Sequence, residues 1–253
     1  MNPSQATVIK AEKVTKRFGD FVAVDHVDFS IQREETIGII GPNGAGKTTF
    51  LNLLTGFYFP EEGSVFYEGA DITRDSPEKR VAAGIIRTFQ LVRVFDNLSV
   101  FENLGLAYYR KKRSSALSLH MFVSNLNHPE IQQKTRETLE MFELGHLAEE
   151  MVGNLSLGSK RRLEIAMAFI ANPVVLALDE PFSGLSDNEI DEVTRVFKKY
   201  THQKTILIVE HKISKLVDIV DRLAVMHEGK IIAFGLPKET LEDQEVRRVY
   251  WKV

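Results

Sequence analysis

The stretch "GPNGAGKTTFLNLLTG", Gly41 to Gly56, decides how the rest of the chain is read. It follows a short apolar run, "TIGII" (36–40), and passes from a glycine loop into an apolar helical pattern that Gly56 can end. Strand, glycine loop and helix in that order is the context that gives the G-x-x-x-x-G-K-[ST] spacing its mechanism. Gly41, Gly44 and Gly46 permit the turns that aim successive amide hydrogens, including those of Asn43 and Ala45, at a polyphosphate. The helix N-terminus adds its partial positive charge. Lys47 is spaced to bridge β- and γ-phosphates. Thr48 offers a hydroxyl to Mg²⁺, a hard cation that takes oxygen ligands and substrate phosphates, and Thr49 follows in the same turn.

Working outward, residues 7–40 read as short strands, with apolar Val22, Val24, Val27 and Phe29 in "VAVDHVDFSI". After the loop, "FPEEGSVFYEG" reads as turn, strand, turn, and "DSPEKRVAAG" places Ser76 as a cap before Pro77 at the first helical position. "SVFE", Ser99 to Glu102, has the spacing of a capping box. Residues from about 91 to 155 read as mostly helical, with "RETLEMFELGHL" amphipathic and "RKKRSSALS" a solvated basic face. Past Asn172-Pro173 strands and helices alternate again: "VVLALDE", "DNEIDEVTRVFKKY", "KTILIVEH", "KISKLVDIVD" and the hairpin "RLAVMHEGKIIAFG". Such alternation implies a parallel sheet covered on both faces. The expected fold class is therefore α/β. A mainly parallel core sheet (1–90 and 160–253) carries an antiparallel β-rich start and an inserted helical subdomain (91–159).

"VVLALDE" brings Asp179 and Glu180 to the carboxyl end of a buried-looking strand, where ligands sit in open α/β sheets. Adjacent side chains on a strand point apart, which implies two roles. Asp179 completes a Mg²⁺ shell and Glu180 polarises an attacking water, sufficient protein equipment for phosphoryl transfer.

Composition bounds the rest. At 253 residues, 43% hydrophobic and 26% charged, the chain is an ordinary globular protein. A net charge of −3 argues against a general nucleic-acid binder. The absence of cysteine excludes disulfides and thiolate chemistry and fits a reducing cytoplasm. The N-terminus has no apolar core of signal-peptide length, and no apolar run approaches the ~20 residues of a spanning helix.

Taken in order, these motifs resemble the nucleotide-binding subunit of ATP-binding cassette (ABC) transporters, a P-loop NTPase cassette, over nearly the whole chain. The resemblance implies ATP and Mg²⁺ as ligands and assigns further residues. Phe18, in "VTKRFGDFVAVDHVDF", is similar to the aromatic that stacks on adenine; on residue type alone it reads equally as core. Gln90, in "IIRTFQLVRVF", is similar to the glutamine that senses γ-phosphate and metal. His211, in "LIVEH", is similar to the histidine that contacts the γ-phosphate. "LSLGS" (155–159) stands where the family usually has LSGGQ, the turn that completes the ATP site of a second, facing subunit. Ser156 and Gly158 match, while Leu157 and Ser159 depart; alone, Ser156 reads as a helix cap. Ser186, in "SGLSD", stands where the family usually has aspartate.

"RTFQ", "RRLEIA" and the long "YYRKKRSSALSLHMFVSNLNHPE" segment are similar to importers of branched-chain amino acids and related polar solutes. The partners this implies are transmembrane permease subunits, a second nucleotide-binding subunit in a homo- or heterodimer, indirectly a solute-binding protein, and no nucleic acid. The implied location is peripheral, on the cytoplasmic face of the cell's inner membrane. The apolar residues Leu91, Val92, Val94, Phe95, Leu98 and Phe101 have two open readings, a groove for a permease helix or packing between lobes. Competing functions are the ATPase of a lipid or lipopolysaccharide exporter, a soluble non-transport ABC ATPase, and a regulatory module that has lost catalysis. Intact Lys47, Asp179, Glu180 and His211 weigh against the last.

Overall fold

The computed structural model describes residues 6–112, 128–200 and 204–251. The basic run "RKKRSSALS" and the long segment quoted above fall largely outside them. Two compact units emerge: one of residues 1–87, 174–182 and 197–253, the other of residues 88–173 and 183–196. This division differs from the sequence expectation, because the helix at Leu157–Ile170 and the start of the helix at Asp187–Tyr200 group with the helical unit.

The first unit is built on two sheets. Long strands β1 (Thr7–Phe18) and β2 (Phe21–Gln32) form a hairpin; β4 (Glu62–Tyr67) and β5 (Ala70–Asp71) extend it into an antiparallel sheet of order β2-β1-β4-β5. The other sheet has the order β10-β9-β3-β8-β7-β6. Here β3 (Thr36–Ile40), β6 (Ile85–Arg87), β7 (Val175–Asp179), β8 (Thr205–Val209) and β9 (Arg222–His227) run parallel, and β10 (Lys230–Gly235) returns antiparallel along β9. β3, β7 and β8 are buried at every position, as expected of strands covered on both faces. Strand β6 is an addition to the sequence reading, its three residues being too few to carry a period.

Helix α1 (Lys47–Thr55) touches β1 and β2 of one sheet and β6, β7 and β8 of the other, so its apolar sides are buried both ways. Phe50, fully buried, sets its edge on Phe29 at 5.4 Å between centroids, and Phe29 stacks on Phe234 at 5.5 Å. Burial of such a ring stabilises by about 2–3 kcal/mol. Gly56 ends the helix in the left-handed region, as the sequence implied.

Its open C-terminal carbonyls find a partner the sequence does not announce. Helix α2 (Pro77–Ala82), which begins after Ser76 with Pro77 in its first turn, carries Arg80 at 1% exposure. The guanidinium donates to Leu53 O (2.7 Å) and Leu54 O (2.8 Å), and to Ile72 O (2.6 Å), Thr73 O (3.3 Å) and Asp75 O (3.2 Å). One side chain thus caps α1 and fixes the following turn. Arg80→Ala is expected to lower unfolding free energy by about 3 kcal/mol, since it opens a cavity and strands several buried carbonyls. Urea unfolding of the two proteins checks this; a difference under about 1 kcal/mol would mean that the carbonyls find other donors.

The helical unit contains α3 (Val100–Lys112), α4 (Pro129–Met141) and α5 (Leu157–Ile170), packed pairwise, and the first turns of α6 (Asp187–Tyr200). The expected capping box is present at α3: Ser99 N donates to Glu102 Oε2 at 2.7 Å and Glu102 N to Ser99 Oγ at 3.1 Å. In the first unit, the helix expected over "KISKLVDIVD" reaches only from Ile213 to Leu216 (α7). The chain must leave it to enter β9, and Asp221 is tied to Thr36 on β3 in both directions, by Asp221 N to Thr36 O (2.8 Å) and Thr36 N to Asp221 Oδ2 (2.8 Å). Helices α8 (Pro237–Glu242) and α9 (Gln244–Trp251) close the chain.

Candidate active site

In the order β3-β8-β7, three adjacent parallel strands deliver their carboxyl ends side by side. The glycine loop follows β3, Glu210 and His211 follow β8, and Asp179 ends β7 with Glu180 immediately after it. The loop's conformation has a local cause. Gly46 caps α1 at φ 99°, and a Cβ there would lie 2.2 Å from the carbonyl oxygen of Ala23, so only glycine is accommodated. Asn43, Gly44 and Thr48 are exposed, Thr49 is half-buried, and Gly41 and Ala45 are buried.

Lys47 is 6% exposed. Its Nζ donates to the loop's own carbonyls, Gly41 O at 2.8 Å and Pro42 O at 3.1 Å. Burial pushes its pKa below the ordinary lysine value, and the nearby charges of Glu180, Asp179 and Glu210 oppose that shift. A desolvated ammonium facing three carboxylates is poised for a polyanion that brings more charge.

Asp179 forms a buried ion pair, Arg87 Nη2 to Oδ2 at 2.6 Å. Arg87 comes from β6, whose register against β7 sets Arg87 opposite Ala177, and its Nη1 also donates to Asn52 Oδ1 of α1 at 2.5 Å. Arg87 therefore orients the carboxylate, a role the sequence reading did not give it. Glu180 is half-buried and has φ 47°, a left-handed conformation that costs a non-glycine residue on the order of 1 kcal/mol. Its N–H donates to Val209 O at 2.9 Å. The imidazole of His211 is 48% exposed. Glu210, beside it, is fully buried: Oε1 accepts from Phe182 N (2.7 Å), and Oε2 from His211 N (2.9 Å) and Lys212 N (3.2 Å). Nothing in the residue types or spacing of "LIVEH" announces this role for Glu210.

Phe18 is 45% exposed at the tip of the β1–β2 hairpin, with the edge of Tyr58 5.4 Å away between centroids. The core reading of Phe18 is thus excluded. A hydroxyl on Thr48 and a carboxylate on Asp179 are hard oxygen donors of the kind that suit Mg²⁺.

The remaining expected residues lie in the helical unit. Gln90 is exposed, but its backbone is held: buried Arg161 on α5 donates through Nη2 to Gln90 O at 2.5 Å and through Nη1 to Phe89 O at 2.9 Å. Arg161 is paired with Glu164 (2.8 Å), which accepts from Arg93 N at 3.1 Å. Burial raises the pKa of Glu164, with Arg161 opposing. Ser156 caps α5 by accepting from Ser159 N at 3.1 Å. Gly158 has Glu189 against it: its N–H donates to Oε1 at 3.1 Å, and a Cβ would lie 2.2 Å from that oxygen. Ser186, at the site of the altered aspartate, opens α6, its N–H (2.9 Å) and hydroxyl (2.8 Å) donating to Glu189 Oε2. These bonds from Ser186 hold Glu189 below the usual carboxylate range. Of the apolar residues after Gln90, Leu91 and Phe95 are exposed, while Val92, Val94, Leu98 and Phe101 are half-buried.

A phosphate-binding loop between a parallel strand and a helix, with two acidic residues at the carboxyl end of the next strand but one in the sheet, defines a P-loop nucleoside triphosphatase. The chain belongs to the ABC transporter family, whose model matches residues 24–183. It is 33% identical over 252 residues to the high-affinity branched-chain amino acid transport ATP-binding protein BraF of Pseudomonas aeruginosa, covering 96% of this chain and 97% of that one. Among solved structures, the ADP conformation of an ATP-binding cassette of an ABC transporter superimposes with a TM-score of 0.82 at 32% identity, covering 98% and 99% of the two chains. A dimeric cassette in a post-hydrolysis state, bound to ADP and Pi, gives 0.74 at 26% identity, covering 90% and 98%. The protein is accordingly an ATP-binding and ATP-hydrolysing subunit of an ABC transporter. Among the described residues, no helix is long and apolar enough to cross a membrane.

Proposed function

We propose that this chain is the peripheral ATPase, on the cytoplasmic face of the membrane, of an importer of branched-chain amino acids or related small polar solutes. A solute-binding protein feeds the permease it drives. The observation that carries the ATPase mechanism is the gathering of the glycine loop, Asp179, Glu180 and His211 at the carboxyl ends of three adjacent strands. The class of solute follows BraF, whose likeness extends over both chains.

In this reading Phe18 stacks on adenine, Gly41 gives the loop its turn, and the N–H groups from Asn43 to Lys47 and the hydroxyl of Thr49 hold the phosphates. Thr48, Asp179 and Gln90 are the residues that would hold Mg²⁺, which would neutralise phosphate charge. Lys47 bridges the β- and γ-phosphates, and Glu180 orients the water whose oxygen attacks the γ-phosphorus as the bond to the bridging oxygen of ADP breaks. His211 contacts the γ-phosphate. Ser156 and Gly158 complete the site of a facing subunit, so ATP binding becomes closure of the pair and hydrolysis releases it. Exposed Leu91 and Phe95 offer apolar surface to a permease helix.

The test of the solute class is ATP-driven uptake of radiolabelled leucine into proteoliposomes holding this subunit reconstituted with the permease subunits and solute-binding protein of its own transport system. Uptake that requires ATP inside the assay's cytoplasmic side is expected. Stimulation by extracted lipid or lipopolysaccharide with no uptake of any branched-chain amino acid would overturn the import reading and leave the ATPase standing.

A further inference from the structure

We infer that Glu210 is a positioning residue for hydrolysis, locking the loop that bears Glu180 to the loop that bears His211. The inference rests on the roles proposed above for those two residues and assigns Glu210 a part that neither has. A carboxylate with no exposure is costly to bury unless its oxygens are fully engaged. Here three backbone N–H groups engage it, and they come from two loops: Phe182 from the acidic loop, His211 and Lys212 from the histidine loop. If the fold needed only a staple within one loop, a serine or threonine would supply it. A side chain of glutamate length with two acceptor oxygens is needed to span both.

The consequence falls on Glu180. Its left-handed backbone persists only where the surroundings hold it. On one side it is held by its own N–H on Val209 O, a bond at the carboxyl end of the paired strands β7 and β8. Two residues further on, the hold is Phe182 N on Glu210 Oε1. Removing the second anchor leaves Glu180 tethered at one end, free to relax and carry its carboxylate away from an attacking water. The same loss removes the acceptor of His211 N, so both hydrolytic side chains shift together, while the hydrogen bonds of Lys47 to Gly41 O and Pro42 O do not involve Glu210, whose charge on Lys47 is kept in Glu210→Asp. A misplacement of about 1 Å costs on the order of a hundredfold in rate.

The test compares wild type, Glu210→Gln, Glu210→Asp, His211→Ala, the double variant Glu210→Gln/His211→Ala and Glu180→Gln, each as the full chain. Steady-state ATPase rates are read together with binding of a fluorescent ATP analogue and thermal midpoints. Glutamine keeps the length but turns an NH₂ toward backbone donors; aspartate keeps the charge but is one methylene too short to span. The expected result is a fall in kcat of at least about tenfold for both, with KM and analogue affinity within about threefold of wild type. The effect of Glu210→Gln should shrink when His211 is already absent, because the two act as a unit. A wild-type kcat in Glu210→Gln and Glu210→Asp, beside an inactive Glu180→Gln, would overturn the inference. So would losses of rate and affinity in proportion to a fallen midpoint, or effects that add fully with His211→Ala. Should Glu210→Gln not fold, Glu210→Asp decides by the same split between kcat and KM. Retention of activity by Glu180→Gln would instead overturn the reading beneath it.

Discussion

Replacing Glu180 with glutamine is expected to reduce the ATPase rate by about 10²–10³-fold while ATP binding persists, which is the size of effect that removal of a water-orienting base produces. Three decades correspond to about 4 kcal/mol of transition-state stabilisation. Glutamine has nearly the shape of glutamate and can occupy the same left-handed backbone, so the N–H bond to Val209 O and the surrounding fold should survive. The measurement is phosphate release at saturating ATP and Mg²⁺, paired with size-exclusion chromatography and light scattering. Slow hydrolysis should let ATP-bound pairs accumulate. Dimers that form with ATP would show that "LSLGS" completes a facing site in the chain's own twin. A monomer that binds ATP would point to a different partner subunit. A rate within threefold of wild type would remove Glu180 from its assigned role.

Replacing Lys47 with alanine is expected to act on the other quantity, weakening ATP affinity by about 10²–10³-fold. Charge-assisted hydrogen bonds contribute about 1.5–3 kcal/mol each, and the bridging reading gives Lys47 two phosphates to contact. Its depressed pKa reports a partly desolvated ammonium, the condition under which such contacts are strong. The variant also removes the Lys47 donor from Gly41 O and Pro42 O, the latter keeping Ala45 N at 3.2 Å, so about 1 kcal/mol of stability should go with it. Calorimetric titration with ATP separates the two effects. Affinity within fivefold of wild type in a folded Lys47→Ala protein would show that the loop amides alone carry the phosphates.

Much of the fold was legible because the informative features are local. A strand, a glycine loop and a helix are contiguous between residues 36 and 56, and the α6 pattern "DNEIDEVTRVFKKY" matches the observed helix from Asp187 to Tyr200. The hairpin "RLAVMHEGKIIAFG" likewise forms as β9 and β10 around Glu228 and Gly229. Capping residues such as Ser99 and Glu102 speak to neighbours three positions away, so their spacing is written along the chain. The shortened α7 shows the limit: its apolar pattern continues, but the ties between Asp221 and Thr36 on another strand draw the chain out of the helix.

The sequence by itself determined the class of fold, the phosphate loop and the strand that ends in Asp179 and Glu180, since each depends on residue type and spacing within a few positions. Only the tertiary structure decided who holds those groups. Arg87 meets Asp179 from 92 positions away, Arg80 caps α1 from 26 and 27 positions away, and Glu210 takes Phe182 N across 28. No periodicity encodes such pairs; they arise when sheet order sets distant strand ends side by side, and burial then obliges each charge and each open N–H to find the partner that topology has placed there.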